Sequence, residues 1–231
     1  MEASTSRHGS GYQPALDGVR AVAVGLVLLF HLGLSWMPAG YVGVSVFFTL
    51  SGYLITTLLV RELDATGRVD LAEFAGRRAR RLLPASLVCL AAVMVAIVCG
   101  EFALVPEMRL SLVGATLQVS NWVSLAGSSS YRTLFATSPA VTSPLTHFWS
   151  LAIEGQFYVV WPFVLVGLWR LMAGRMARLL GSVLLLTVLS GVVAVAISQR
   201  WGLDAAYWST PARHGELLVG ASLAVALEHW H

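Results

Sequence analysis

One histidine, one glutamate and a few arginines stand inside or beside segments otherwise built of Leu, Val, Ala and Phe. Arg20 and His31 are eleven residues apart. On a helix that spacing places them within about 20° of one face and roughly 16 Å apart along the axis. Such a pair suits a long anionic substrate whose charged head binds the guanidinium while a reactive tail reaches the imidazole. The same residues also suit a membrane-edge anchor and an interhelical hydrogen bond, and Asp17 stands beside Arg20 at the mouth of this segment. His147, Ser150 and Glu154 are spaced i, i+3 and i+7, which puts them on one helix face. A carboxylate one to two turns into an apolar helix can exchange protons with a reacting group, or pair structurally with an Arg of a neighbouring helix. No Gly-x-Ser-x-Gly elbow surrounds Ser150, which disfavours a serine hydrolase. Arg77, Arg78, Arg80 and Arg81 crowd the run Gly76–Pro84. Their planar forks can hold phosphate oxygens bidentately, and they equally fit topology control or contact with anionic lipid. Arg213 and Glu216 form the last polar pair.

The elements that position these residues must be membrane helices. Of 231 residues, 57% are hydrophobic and 12% charged, whereas a soluble domain has about 25% charged and 45–50% apolar residues. The mean hydropathy of +0.74 fits several bilayer spans with short connections. Disorder, a disulfide scaffold and a nucleic-acid binder are all disfavoured. The formal charge is +3, and all 15 basic residues are Arg. Cys89 and Cys99 share one apolar run, which holds them roughly 15 Å apart on a helix; they cannot pair, and they read as small buried hydrophobes.

A span needs about 20 mainly apolar residues. Charge-free windows run over Ala21–Trp36, Val42–Val60, Leu82–Gly100 and Leu179–Ser198, and Phe148–Trp169 is comparable except for Glu154. Leu110–Leu125 is weaker, interrupted by Gln118, Ser120 and Asn121, and a last window covers Leu217–Leu227. The expected fold is therefore all-α, a polytopic membrane protein of about six to seven helices. The first window reads as a retained signal anchor, because a second span follows the short uncharged turn Ser35–Tyr41. No internal repeat is visible, and Gly127–Ser130 with the Ser-Pro pairs at 138 and 143 reads as an irregular connection. Arg61, Arg68 and the Arg77–Arg81 cluster assign their loop to the cytoplasm, with the N-terminus and its Arg7 and Arg20 on the same side. Arg170, Arg175 and Arg178 then conflict with simple alternation. Either Leu110–Leu125 is a partial or re-entrant helix, or this cluster breaks the rule. Pro84 is expected in the first turn of the third span.

Five segments resemble the acyltransferase-3 family of integral membrane O-acyltransferases that modify bacterial polysaccharides, peptidoglycan and lipids. Leu16-Asp17-Gly18-Val19-Arg20-Ala21 with His31 is similar to its Arg-x10-His signature, and Gly43–Ile55, containing Ser51, to its second-span motif. Arg77-Arg78-x-x-Arg81-Leu82-x-Pro84 resembles the family's arginine motif, His147–Tyr158 its most recognisable segment, and Ser209–Gly220 the opening of its seventh span. Two departures stand out: Gly155 occupies a position where the family often has a second acid, and the chain covers helices one to about seven of a domain of about ten, without the SGNH-type soluble domain some members append. The resemblance implies transfer of an acyl group, commonly acetyl, from cytoplasmic acyl-CoA to a hydroxyl of a cell-envelope glycan or lipid. Acetyl-CoA would be a co-substrate, with no bound cofactor, no metal and no nucleic-acid partner, and a separate chain could complete the domain. The implied location is the plasma membrane. Arg20, Arg77, Arg78 and Arg81 would hold the phosphates of coenzyme A, His31 would act as general base or transient acyl carrier, and Glu154 would orient or protonate it. Asp17, Ser51, Ser150, Tyr158, Arg213 and Glu216 would support. The competing readings are an inactive or split remnant of such an enzyme, and a transporter in which His31 and Glu154 relay protons.

Overall fold

A computed structural model describes residues 14–32, 42–102, 105, 107–127 and 143–230, and every regular element among them is a helix. The chain divides into two compact units, residues 1–47 and 48–231. In the first unit, α1 runs Pro14–His31, so it begins ahead of the apolar window at a proline whose fixed φ suits a helix start. It carries Arg20 and His31 on one continuous helix. The side chain of His31 and the turn Ser35–Tyr41 lie outside the described residues, as do residues 128–142 of the irregular connection.

The remaining helices are α2 (Val42–Thr66), α3 (Leu71–Val98), α4 (Met108–Thr116), α5 (Ser120–Ala126), α6 (Phe148–Leu171), α7 (Met176–Trp201), α8 (Leu203–Trp208) and α9 (Thr210–Trp230). Helices α2, α3, α6 and α7 are long and apolar enough to cross a membrane, and the protein is a polytopic helical membrane protein. The expected start of the third span is corrected. Asp70 caps α3 by accepting from the Glu73 backbone N–H at 2.9 Å, an Asp-x-x-Glu signal of a helix start. The arginine cluster is therefore helical rather than part of a loop, and Pro84 lies well inside α3 instead of in its first turn. Cys89 and Cys99 are exposed rather than buried, because they fall on a side of α3 that no described helix covers.

Within the second unit, side-chain contacts give the helix directions. Phe48 of α2 meets Trp149 of α6 at 6.0 Å between ring centroids, and the Arg213 guanidinium of α9 lies 5.6 Å from the Phe48 ring. Further along, Trp161 donates to Thr56 at 2.8 Å, and Arg61 pairs with Glu228 at 2.7 Å. The three helices thus run parallel. Helix α7 runs the opposite way, since Ser190 bonds the carbonyl of Pro211 and Thr187 bonds Ser222. So does α3, whose Leu90 and Val93 pack against Phe148 while Arg78 lies over the Tyr158 ring. Close approach is decisive at the α2/α9 crossing. A Cβ on Gly52 would collide with the carbonyl of Leu217, and one on Gly220 with the carbonyl of Thr49, so glycine on both sides lets the backbones touch.

The weak window Leu110–Leu125 is a short helical hairpin. Met108 starts beside Ser143, α4 packs on Leu90, Val93 and Phe148, and the chain reverses at Gln118, a non-glycine residue with φ of 57°. Helix α5 then returns, so the hairpin begins and ends at one end of the unit. At about 1.5 Å per residue neither arm is long enough to span. Gly114 permits the turn, because a Cβ there would sit 2.9 Å from Val123 Cγ2. A short hairpin corresponds to the partial or re-entrant alternative. It places Arg170, Arg175 and Arg178 at the same end as Arg61, Arg68 and the α3 arginines, and the charge conflict disappears.

Candidate active site

Glu154 lies on the side of α6 that faces α2. Ser51 of α2 and Tyr158, one turn further along α6, both donate hydroxyl hydrogen bonds to its Oε1. The Tyr158 contact follows from i, i+4 spacing, whereas Ser51 is brought in by the glycine-lined crossing that holds α2 in place. Arg78 of α3 completes the cluster. Its guanidinium sits 5.8 Å from the Tyr158 ring centroid and 5.7 Å from that of Phe74. The cation is thus held against aromatic faces, beside the tyrosine that serves Glu154. A groove of about 680 Å³ runs past this cluster, lined by Phe74, Arg78, Leu82, Gly155, Tyr158 and Phe163 among others. Its walls are mainly hydrocarbon with Arg78 as their cation. A Cβ on Gly155 would face Gln118 Oε1 at 3.5 Å, ordinary contact, so this position leaves the groove open without being forced to be glycine.

The structure separates other candidates. Arg77 pairs with Glu73 on its own helix at 2.5 Å and is exposed, as are Arg80 and Arg81. Four neighbouring arginines therefore do not form one fork, and only Arg78 turns toward Glu154. Ser150 donates to the carbonyl of His147 at 3.2 Å rather than joining the carboxylate, and His147 is exposed at the N-terminus of α6. Arg20 pairs with Asp17 at 3.1 Å within α1. Arg213 pairs with Glu216 at 2.9 Å and is ringed by Phe48, Trp149 and Tyr207, with centroids at 5.6, 5.5 and 5.3 Å.

A polar ring that spacing did not reveal anchors the hairpin beside the site. Gln156 Nε2 donates to Asn121 Oδ1 at 2.9 Å, Asn121 Nδ2 donates to Thr210 Oγ1 at 2.9 Å, and Thr210 Oγ1 donates to Gln156 Oε1 at 2.6 Å. Asn121 is fully buried and also donates to the Trp208 carbonyl. Of the polar residues that weakened the Leu110–Leu125 window, Asn121 therefore docks α5 onto α6 and α9, whereas the Gln118 side chain donates to the nearby Ala115 carbonyl at 3.2 Å. The sequence signal was present as Asn121 inside an apolar run, where polar groups need partners, but its partners were distant in the chain.

YrhL of Bacillus subtilis is 40% identical over 93% of the chain, peptidoglycan O-acetyltransferase OatA of Listeria monocytogenes 38% over 95%, and O-acetyltransferase OatA of Staphylococcus aureus 36% over 92%. The alignments cover 33%, 35% and 34% of these relatives, so the chain spans about a third of their length. No solved structure matches it. Residues 13–229 match the acyltransferase-3 model, described as an acyltransferase domain, and the chain belongs to that family.

Proposed function

We propose that the chain is part of a membrane O-acyltransferase that moves an acyl group, acetyl in the first instance, from acyl-CoA to a hydroxyl of a cell-wall glycan. The observation that carries this reading is the Ser51–Glu154–Tyr158 cluster with Arg78 beside an apolar groove. Acyl-CoA has the matching chemistry, an anionic head on a long, mostly uncharged arm. Arg78 would engage phosphate at the groove's charged end while the arm lies along Phe74 and Leu82, with Arg77 and Arg81 adding positive potential. The acceptor follows the Listeria monocytogenes relative, a peptidoglycan O-acetyltransferase. Arginines concentrated at one end of the second unit support a plasma-membrane orientation with that end and the N-terminus in the cytoplasm.

In this reaction the acceptor oxygen attacks the thioester carbonyl, a C–O bond forms and the C–S bond breaks. The hydroxyl proton passes to a base and the departing thiolate takes up a proton to leave as free coenzyme A. His31 is the base in this reading, with a reference imidazole pKa near 6.5. Glu154, kept in one orientation by two hydroxyl donors, handles the second proton.

The test is incubation of the full chain in membranes with labelled acetyl-CoA and cell-envelope extract. Wild type should label the glycan fraction. His31→Ala should abolish transfer, a loss of at least about 100-fold, while inserting normally; retained transfer would remove His31 from the mechanism.

A further inference from the structure

A second pocket lies at the end of the second unit remote from its arginine-rich end. It has a volume of about 590 Å³ and is enclosed by α5, the C-terminal end of α7, α8 and the start of α9, within the roughly 300–1,000 Å³ typical of ligand sites. Three tryptophans line it, together with Asp204, Ser209 and Pro211. Trp208 is buried at 1% exposure and forms the floor, whereas Trp201 at 68% and Trp122 at 41% present open indole faces. The buried Ser209 hydroxyl has no hydrogen-bond partner among the described residues, which is uncommon for a buried polar group. The pocket is also tied to the reaction site. Trp122 Nε1 donates to Gln156 Oε1 at 3.2 Å, and Gln156 stands two residues beyond Glu154 on α6.

We propose that this pocket is an acceptor subsite that takes a pyranose ring of a cell-wall glycan, stacked on the indoles of Trp201 and Trp122, with its hydroxyls turned to Asp204 and Ser209. Pyranose chemistry matches the lining. The C–H face of the sugar is apolar and seeks a flat aromatic surface, while its rim of hydroxyls needs a carboxylate or hydroxyl close by. Location argues the same way, because the opposite end carries Arg61, Arg68, Arg170, Arg175 and Arg178, the cytoplasmic signal, and the wall glycan is outside. Interfacial tryptophans also occur as a membrane belt. A belt, however, has no need of a pocket, of an acid beside the rings or of a hydrogen bond to the residues next to the site. The inference rests on the glycan acceptor of the reading above and adds where that acceptor docks.

The test titrates the full chain in nanodiscs with the N-acetylglucosamine disaccharide, following tryptophan fluorescence and calorimetry, and separately measures transfer against acceptor concentration. Trp201→Ala should weaken disaccharide binding about tenfold, the scale of losing one stacked aromatic face. Trp201→Phe should restore much of it, and Asp204→Asn should also weaken binding. In transfer, Trp201→Ala should raise KM for the glycan and leave KM for acyl-CoA unchanged. Wild-type binding that is absent, or identical in Trp201→Ala and Asp204→Asn, overturns the subsite. So does a Trp201→Ala variant that loses only thermal stability or insertion, as a belt residue would. If the disaccharide binds in a Trp201-dependent way but no acyl transfer occurs, the subsite stands and the transferase reading fails. If transfer proceeds with an unchanged glycan KM in Trp201→Ala, the transferase reading stands and the subsite fails.

Discussion

Glu154 accepts two hydroxyl hydrogen bonds at one carboxylate oxygen, from Ser51 and Tyr158, and these donors fix its direction. Replacing the carboxylate by Glu154→Gln keeps the shape and removes the proton-accepting group, so transfer should fall about 100-fold or more in a single-turnover assay. Tyr158→Phe and Ser51→Ala each delete one donor, worth about 0.5–1.5 kcal/mol, so each should lower kcat by about 2- to 12-fold with little change in KM for acyl-CoA. Because both act on one oxygen, the double variant should depart from the sum of the singles, and a double-mutant cycle reads that departure directly. The arginines differ in the same measurable way. Arg78→Ala should raise KM for acyl-CoA about tenfold through loss of a charge-assisted phosphate contact. Arg77→Ala should change it much less, since Arg77 is exposed and already paired with Glu73. Equal effects of the two would mean that the helix supplies only diffuse positive potential.

The helical elements depend on a few close contacts. Gly52 and Gly220 let α2 and α9 touch backbone to backbone, and that crossing is what delivers Ser51 to Glu154. Gly52→Ala inserts a methyl where a carbonyl already stands. Overpacking of this kind costs about 1–3 kcal/mol or more, and it should lower the thermal midpoint in detergent while abolishing transfer, because the Ser51 contact opens with it. The α4–α5 hairpin depends instead on the Gln156–Asn121–Thr210 ring. Asn121→Ala removes the side-chain bonds to Gln156, Thr210 and the buried Trp208 carbonyl, at about 1–3 kcal/mol. The expected outcome is a destabilised protein in which hydrogen exchange rises over residues 108–126 before it rises in α6 or α9. Unchanged exchange in that segment would show that apolar packing alone holds the hairpin. Both devices were half legible. The polar interruptions of Leu110–Leu125 and the glycines at 52 and 220 stand in the sequence, but periodicity reports a residue's helix face and not which helix comes to meet it.

For the molecule as a whole, the hairpin sets the topology. It makes α3 and α6 antiparallel neighbours whose arginine-rich ends coincide, which simple alternation over six spans would have denied. Single cysteines placed on a background without Cys89 and Cys99 test this. Arg68→Cys and Arg175→Cys should react with a membrane-impermeant maleimide from one side of the membrane, and Gly202→Cys from the other. Labelling of Arg68→Cys and Arg175→Cys from opposite sides would make Leu110–Leu125 a full span. The end that bears Gly202 also carries the tryptophan pocket, so the same experiment reports which face of the membrane that pocket addresses.

Composition and patterning alone determined that the chain is helical and lives in a bilayer, because nothing else tolerates this apolar content with so few charges. Ordered motifs through most of its length were enough to place it in a family, and i, i+4 spacing was enough to join Tyr158 to Glu154. Tertiary structure alone decided that Ser51 and Arg78 belong to that carboxylate, that Ser150, Arg77 and Arg81 do not join it, and that Asn121 is a docking group rather than a flaw in a span. The physical reason is common to all of these. Spacing fixes angles on one helix, whereas the partners of Glu154 and Asn121 come from helices whose approach is set by glycine contacts and satisfied buried polar groups far apart in the chain.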